Sequence, residues 1–170
     1  MTAAEVSQRV QIREAVGDDL LGVIEVGRQT WPSTYGPIAG DDYVAMGLAK
    51  WWTADATIPA IRSGRATVAA VGDQIIGVSV VGPLGDEIAL WKLYVLPEHQ
   101  GSGVGSRLLR TAISRATDDG WKSMVLSYLD GNENAAGFYA HFGFEFYERE
   151  TAGSGVPDSI WVRRVLREDA

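Results

Sequence analysis

A glycine-rich run, Gln100-Gly101-Ser102-Gly103-Val104-Gly105, separates an apolar, strand-like segment, Ile88 to Val95, from a segment with helical period, Val104 to Thr117. Strand, tight turn and helix in this order describe an anion cradle. Glycines let the backbone turn sharply and approach a ligand closely. The first turn of the helix offers unpaired N–H donors and the positive end of the helix dipole. Spacing excludes two familiar versions. A dinucleotide-binding turn needs G-x-G-x-x-G, but Ser106 stands where its last glycine belongs, and a P-loop needs Lys after its final glycine, which is absent.

The run fits Q-x-x-G-x-G and follows an apolar strand and a Pro-containing link, Leu93-Tyr94-Val95-Leu96-Pro97-Glu98-His99. Further on comes Asn132-Glu133-Asn134-Ala135-Ala136-Gly137-Phe138-Tyr139-Ala140-His141-Phe142-Gly143-Phe144, which reads N-x-x-A-x-x-F-Y-x-x-x-G-F. In sequence and order these two motifs resemble those of the GNAT N-acetyltransferases, whose first motif holds the pyrophosphate of acyl-CoA. The resemblance covers residues 86 to 150; the first half of the chain resembles the family only in the order of its elements.

Residues 1 to 170 are expected to form a single domain, long enough for one core and short for two. Apolar residues make up 46% of the chain, six Trp among them. No apolar run reaches the roughly 18 to 20 residues that span a bilayer, and Met1-Thr2-Ala3-Ala4-Glu5 lacks a basic region leading into an apolar one. No membrane association and a cytoplasmic location are therefore the expectations. The absence of Cys excludes disulfides, thiolate metal sites and a cysteine acyl-enzyme, and no metal is expected. A net charge of −7 disfavours nucleic acid as a partner and suits a cationic amine.

The pattern predicts a first strand at Val10 to Arg13, a helix opened by Gly17-Asp18-Asp19, and a break in that helix at Trp31-Pro32-Ser33-Thr34-Tyr35-Gly36-Pro37. A second helical region, interrupted near Lys50 to Thr53, runs from Asp41 to Arg62. Ala66 to Val71 and Gln74 to Val81 form a hairpin through Gly72-Asp73, and Pro83-Leu84-Gly85-Asp86 is the next turn. Strand Glu87 to Val95, helix Val104 to Thr117, strand Lys122 to Tyr128, helix Asn132 to Phe142 and strands Phe144 to Glu150 and Ser159 to Val165 follow. This order is that of the GNAT fold. The resemblance implies an α/β fold with a mixed, mostly antiparallel sheet of about seven strands flanked by about four helices, the fourth and fifth strands splaying into a V.

The resemblance also implies acetyl-CoA as co-substrate. Its pantetheine arm would lie along Leu93, Tyr94 and Val95, where a strand edge without a neighbour has free amide groups. The backbone of Gln100, Gly101, Ser102, Gly103, Val104, Gly105 and Ser106 would hold the pyrophosphate, with Arg107 and Arg110 close by on the same helix. Asn132 would bond cofactor or cap its helix. Tyr139, with an ordinary pKa of about 10, is the candidate proton donor to the departing thiolate. The N–H of Leu93 is the family's oxyanion donor. Glu87 is the candidate general base, two residues before the family's usual position, occupied here by Ala89. Asp41, Asp42, Asp86, Tyr35 or a water are alternatives. His99 and His141 have a suitable ordinary pKa but unsuitable positions.

The acceptor would sit between the first helical pair and the final hairpin, where Trp31 and Tyr35 are the candidate substrate-binding residues, with Trp51, Trp52, Tyr94 and the turn Thr151 to Pro157 nearby. The activity implied is direct transfer of acetyl to a primary amine of a small molecule or amino-acid derivative in a ternary complex. Acetylation of a protein N-terminus or lysine is the alternative, and a noncatalytic acyl-CoA-binding module a lesser one. Family precedent allows a homodimer; no residue pattern specifies one.

Overall fold

The computed structural model describes Thr2, Glu5 and residues 9–167. Seven strands among the described residues form one sheet in the order β1-β2-β3-β4-β5-β7-β6: β1 Gln11–Glu14, β2 Ala66–Val71, β3 Gln74–Leu84, β4 Glu87–Val95, β5 Ser123–Leu129, β6 Glu145–Glu150 and β7 Ser159–Val165. Every neighbouring pair is antiparallel except β4 and β5. A parallel pair needs a long crossover, and helix α4, Val104–Asp118, supplies it.

Helices α1 (Leu20–Ala39), α2 (Asp41–Trp51) and α3 (Ala54–Arg62) lie on one face of the sheet, and α4 and α5 (Glu133–His141) on the other. A register slip between Ala69 and Ala70 leaves Ile76 as an extra residue in β3, so that Ile75 meets Gly22 of α1 while Gly77 meets Leu108 of α4. The buried stripe Val104, Leu108, Leu109, Ala112 and Ala116 gives α4 its apolar face. Each fully buried leucine there contributes about 1.5–3 kcal/mol. No helix among the described residues is long and apolar enough to cross a membrane.

The sheet matches the expected mixed, splayed architecture, with two local differences. First, α1 continues through Trp31–Pro37 instead of breaking. Each proline removes one backbone donor, at a cost of about 3 kcal/mol in an ordinary helix interior. Tertiary packing holds the helix together. Trp31 is 4% exposed and fits against Gly47 of α2, where any Cβ would come within 2.0 Å of the indole. Gly27 admits Trp52 in the same way. Second, β3 runs through Pro83 to Leu84 and pairs with β4 to that end, so the turn shrinks to Gly85-Asp86. As expected, the second helical region divides within Lys50 to Thr53, at Trp52, and the Thr53 hydroxyl caps α3 by accepting from the Ala56 N–H.

Candidate functional site

The parallel pairing of β4 with β5 involves only Ile88 with Met124 and Ala89 with Val125. Beyond Ala89 the strands diverge. The other edge of β4 stays paired with β3 to Val95, and the other edge of β5 with β7 to Leu129. Alternate residues of a strand turn their N–H and C=O groups to each side, so both strands present unpaired amides to the gap. A cavity of about 560 Å³ fills it, lined by Leu93, Tyr94 and Val95 of β4, Leu126 to Tyr128 of β5, Thr30, Ser33, Thr34 and Tyr35 of α1, and the loop before α4.

That loop has the conformation its glycines predict. Gly101 and Gly103 have φ of 79° and 87°, in the left-handed region where a Cβ is strained. Gln100 donates from its side chain to the Val95 carbonyl at 2.9 Å, tying the loop to the end of β4. The Ser102 hydroxyl donates to the His99 carbonyl. The helical ladder starts with Arg107 donating to Gly103. Among the described residues, the N–H groups of residues 101–106 meet no backbone acceptor. A fan of free donors at the start of a long helix, opening on a gap with free strand edges, fits the pyrophosphate and amide-bearing arm of CoA.

Asn132, Phe138 and Tyr139 bring α5 to the opposite wall. The Asn132 side chain accepts from the Ala135 N–H at 3.2 Å and caps α5. Phe138 faces Gly105, which holds α5 against the first turn of α4. Tyr139 stacks on Tyr128 with ring centres 6.4 Å apart and meets Phe144 edge-on. Its hydroxyl has no hydrogen-bond partner among the described residues, and burial, with Tyr35 nearby, pushes its pKa well above the ordinary value. Across the cavity the hydroxyls of Tyr35 and Tyr94 share a hydrogen bond of 2.7 Å.

Not every expected residue lies in this cavity. Trp31 packs in the helical layer, outside the lining, whereas Tyr35, one helical turn on, reaches it. Glu87 is also outside the lining. Its carboxylate takes two bonds from Arg163, at 2.7 and 2.9 Å, and one from the Ser123 hydroxyl at 2.6 Å. Those bonds hold its pKa below the ordinary carboxylate value, which makes it a poor proton acceptor. Because the folded-state value is lowered, the stability Glu87 contributes is present above the ordinary carboxylate range and lost as pH falls through the folded value. Glu87→Gln is therefore expected to lower stability at neutral pH by about 1 kcal/mol, a difference from wild type that shrinks on acidification, and to leave kcat within about threefold. Thermal melts across pH, with steady-state rates, check both.

Arg107 donates to the Val10 carbonyl at 3.0 Å, and Arg110 lies over the Phe142 ring, facing α5. His99 and His141 do not line the cavity, and among the described residues no Asp, Glu, Lys or His does. Lys92 sits on the helical side, its Nζ 4.1 Å from the Trp52 ring and bonded to the Trp51 carbonyl; burial lowers its pKa to about 8. The sequence reading missed the hydroxyl row Thr30, Ser33 and Thr34, since only helix continuation through Pro32 aims it inward. It also missed Trp91, Ser127 and Tyr128, which no local pattern assigns to a site.

The family model for an "Acetyltransferase (GNAT) domain" matches residues 62–146. Probable N-acetyltransferase Rv2775 of Mycobacterium tuberculosis is 30% identical over 143 residues, 78% of either chain. N-acetyltransferase 8F1 of Rattus norvegicus is 30% identical over 88 residues, 48% of this chain and 40% of that protein, so the chain spans less than half the length of this relative. Spermidine N(1)-acetyltransferase of Thermoplasma acidophilum is 24% identical over 151 residues, 85% of this chain and 92% of that one. Among solved structures, PaiA N-acetyltransferase from Thermoplasma acidophilum in complex with coenzyme A superposes with a TM-score of 0.82 at 22% identity, covering 92% of this chain and 98% of that chain. At that identity the likeness is one of fold.

Proposed function

The chain belongs to the GNAT family of acetyl-CoA-dependent N-acetyltransferases, and on that premise we propose that it moves an acetyl group from acetyl-CoA directly to the primary amine of a small molecule, with both substrates held together in the V between β4 and β5. The observation that carries this reading is the continuity of the cavity. One lining runs from the free N–H groups after Gln100 to the unpartnered hydroxyl of Tyr139. The spermidine acetyltransferase named above supports a small amine as the acceptor class.

The neutral amine attacks the thioester carbonyl, the carbon–sulfur bond breaks, and the departing thiolate takes a proton. Tyr139 supplies that proton. Its raised pKa keeps it protonated at neutral pH, and a hydroxyl without a protein partner is free to bond sulfur. The N–H of Leu93, on the cavity wall, is the donor assigned to the carbonyl oxygen as it gains charge. Among the described residues no carboxylate lines the cavity, so the amine sheds its proton to water. The pH dependence of kcat/KM should then follow the ionisation of the amine used, shifting when the amine is changed. A fixed enzyme pKa in the carboxylate or histidine range, the same for every amine, would contradict this.

Thiol release from acetyl-CoA in the presence of an amine panel tests the reaction. The expected result is amine-dependent thiol release with a matching N-acetyl product by mass spectrometry. Thiol release without such a product means hydrolysis and refutes the proposal.

A further inference from the structure

Resting on the acetyltransferase reading, we infer that the hydroxyls of Tyr35 and Tyr94 together form the seat of the acceptor nitrogen and select primary over secondary amines. The cavity passes through the sheet, for its lining includes Thr34 and Tyr35 of α1 on one face and Phe138 and Tyr139 of α5 on the other. The free N–H groups at the start of α4 put the donor on the α4 and α5 side, so the acceptor reaches the V from the α1 side. There the Tyr35 and Tyr94 hydroxyls share a hydrogen bond of 2.7 Å. Burial first, and Tyr35 second, raise the pKa of Tyr139; burial, then Tyr35 and Tyr139, raise that of Tyr94. The three phenols therefore stand within electrostatic reach of one another, at the reacting centre.

The pair has hydrogen-bonding capacity left over. Two phenols carry two O–H donors and lone pairs on both oxygens, and the shared bond uses one donor and one acceptor site. Neither hydroxyl has another hydrogen-bond partner among the described residues. Their neighbours on α1 are spent or unbraced. The Thr30 hydroxyl donates to the Val26 carbonyl and the Ser33 hydroxyl to the Thr30 carbonyl, while the Thr34 hydroxyl bonds no described group. The tyrosine rings, by contrast, are fixed by packing. Trp31 lies 4.5 Å from Tyr35 between ring centres, and Trp52 meets Tyr94 edge-on at 5.4 Å. Two oxygens are thus held in place before any amine arrives, which spares binding the cost of ordering them.

Counting N–H groups gives the selectivity. A primary ammonium has three. Two lie on the two phenol oxygens, and the third, directed at the thioester carbonyl, leaves with water and uncovers the lone pair that attacks. As the amide forms, nitrogen releases a second proton, which balances the one Tyr139 gives to sulfur. Burial raises the pKa of Tyr35 and of Tyr94, so the pair stays uncharged at neutral pH. A seat of neutral dipoles orients the ammonium without fixing its charge, and desolvation favours loss of the proton. A secondary ammonium has only two N–H groups. One must leave to uncover the lone pair, so a single N–H remains for two oxygens, and the extra alkyl group lies against the other. A hydrogen bond lost from a charged donor in this way lowers binding about tenfold or more.

The probe is whichever of butylamine, benzylamine and glycinamide gives the highest kcat/KM at saturating acetyl-CoA, compared with its N-methyl derivative. Wild type is expected to favour the primary form by at least about tenfold. Tyr35→Phe and Tyr94→Phe keep every ring contact and remove one oxygen each. Either variant should lower kcat/KM about tenfold for the primary amine and less than about threefold for its N-methyl derivative, with KM for acetyl-CoA within about twofold. The double variant should slow both amines further without any further loss of selectivity, since one missing oxygen already removes the difference. Either single variant decides the matter if the other fails to fold. A pair that only braced the fold would slow both amines alike. That result, equal use of the two amines by wild type, selectivity that survives the single variants, or acetyl-CoA binding without turnover of any primary probe overturns the inference while leaving donor binding intact. Failure to bind acetyl-CoA instead removes the acetyltransferase reading, and this inference with it.

Discussion

Tyr139→Phe is expected to lower kcat by at least about 10²-fold while leaving acetyl-CoA affinity within about twofold. The substitution removes one oxygen atom from a ring whose other contacts persist. Stacking on Tyr128 and edge contacts with Phe138 and Phe144 involve the ring alone, and the hydroxyl bonds no described protein group, so folding loses no hydrogen bond. A thiolate left without a proton is a poor leaving group, and that loss falls on the chemical step. Steady-state kinetics beside calorimetric titration separates the two effects. A variant with unchanged kcat would remove Tyr139 from the reaction, and one that lost affinity and rate together would make it a structural wall.

Gly103→Val is expected to weaken acetyl-CoA binding by at least about 100-fold while the chain remains folded. Gly103 precedes α4 with φ of 87°, and a Cβ there would meet nothing within 4 Å, so the folded state suffers backbone strain of roughly 1–2 kcal/mol and no clash. That strain shifts the melting temperature by roughly 2–8 °C. The larger effect is on the ligand, because a branched side chain at the rim of the N–H fan, or a relaxed φ, removes the close backbone approach that an anion needs. Circular dichroism establishes folding and titration calorimetry reads affinity. Retained affinity would mean that the phosphates lie elsewhere.

Two kinds of residue were legible in the sequence. Gly101 and Gly103 were readable because their demand is local, a left-handed backbone between a strand and a helix. Asn132 and Tyr139 came with a motif whose spacing on one short helix puts the first at its cap and the second on the cavity wall. What stayed hidden depends on distant partners. The role of Glu87 turns on Arg163, 76 residues away in sequence, and a lone carboxylate near a strand start does not announce the guanidinium that will saturate it. Continuation of α1 through two prolines depends on the indole of Trp31 fitting a gap made by Gly47 on another helix. That burial outweighs the local rule that predicted a break, and it takes Trp31 into the core while turning Tyr35 toward the cavity.

The account depends centrally on the gap between β4 and β5 being the seat of acetyl-CoA. The most direct measurement is calorimetric titration of the wild-type protein with acetyl-CoA, with CoA, and with ATP as a control for phosphate alone. Saturable one-site binding of both CoA ligands, without comparable binding of ATP, is the predicted result, since the pyrophosphate loop and the open strand edges act together on one ligand. No binding of either CoA ligand, or binding of ATP as tight as that of acetyl-CoA, would contradict it.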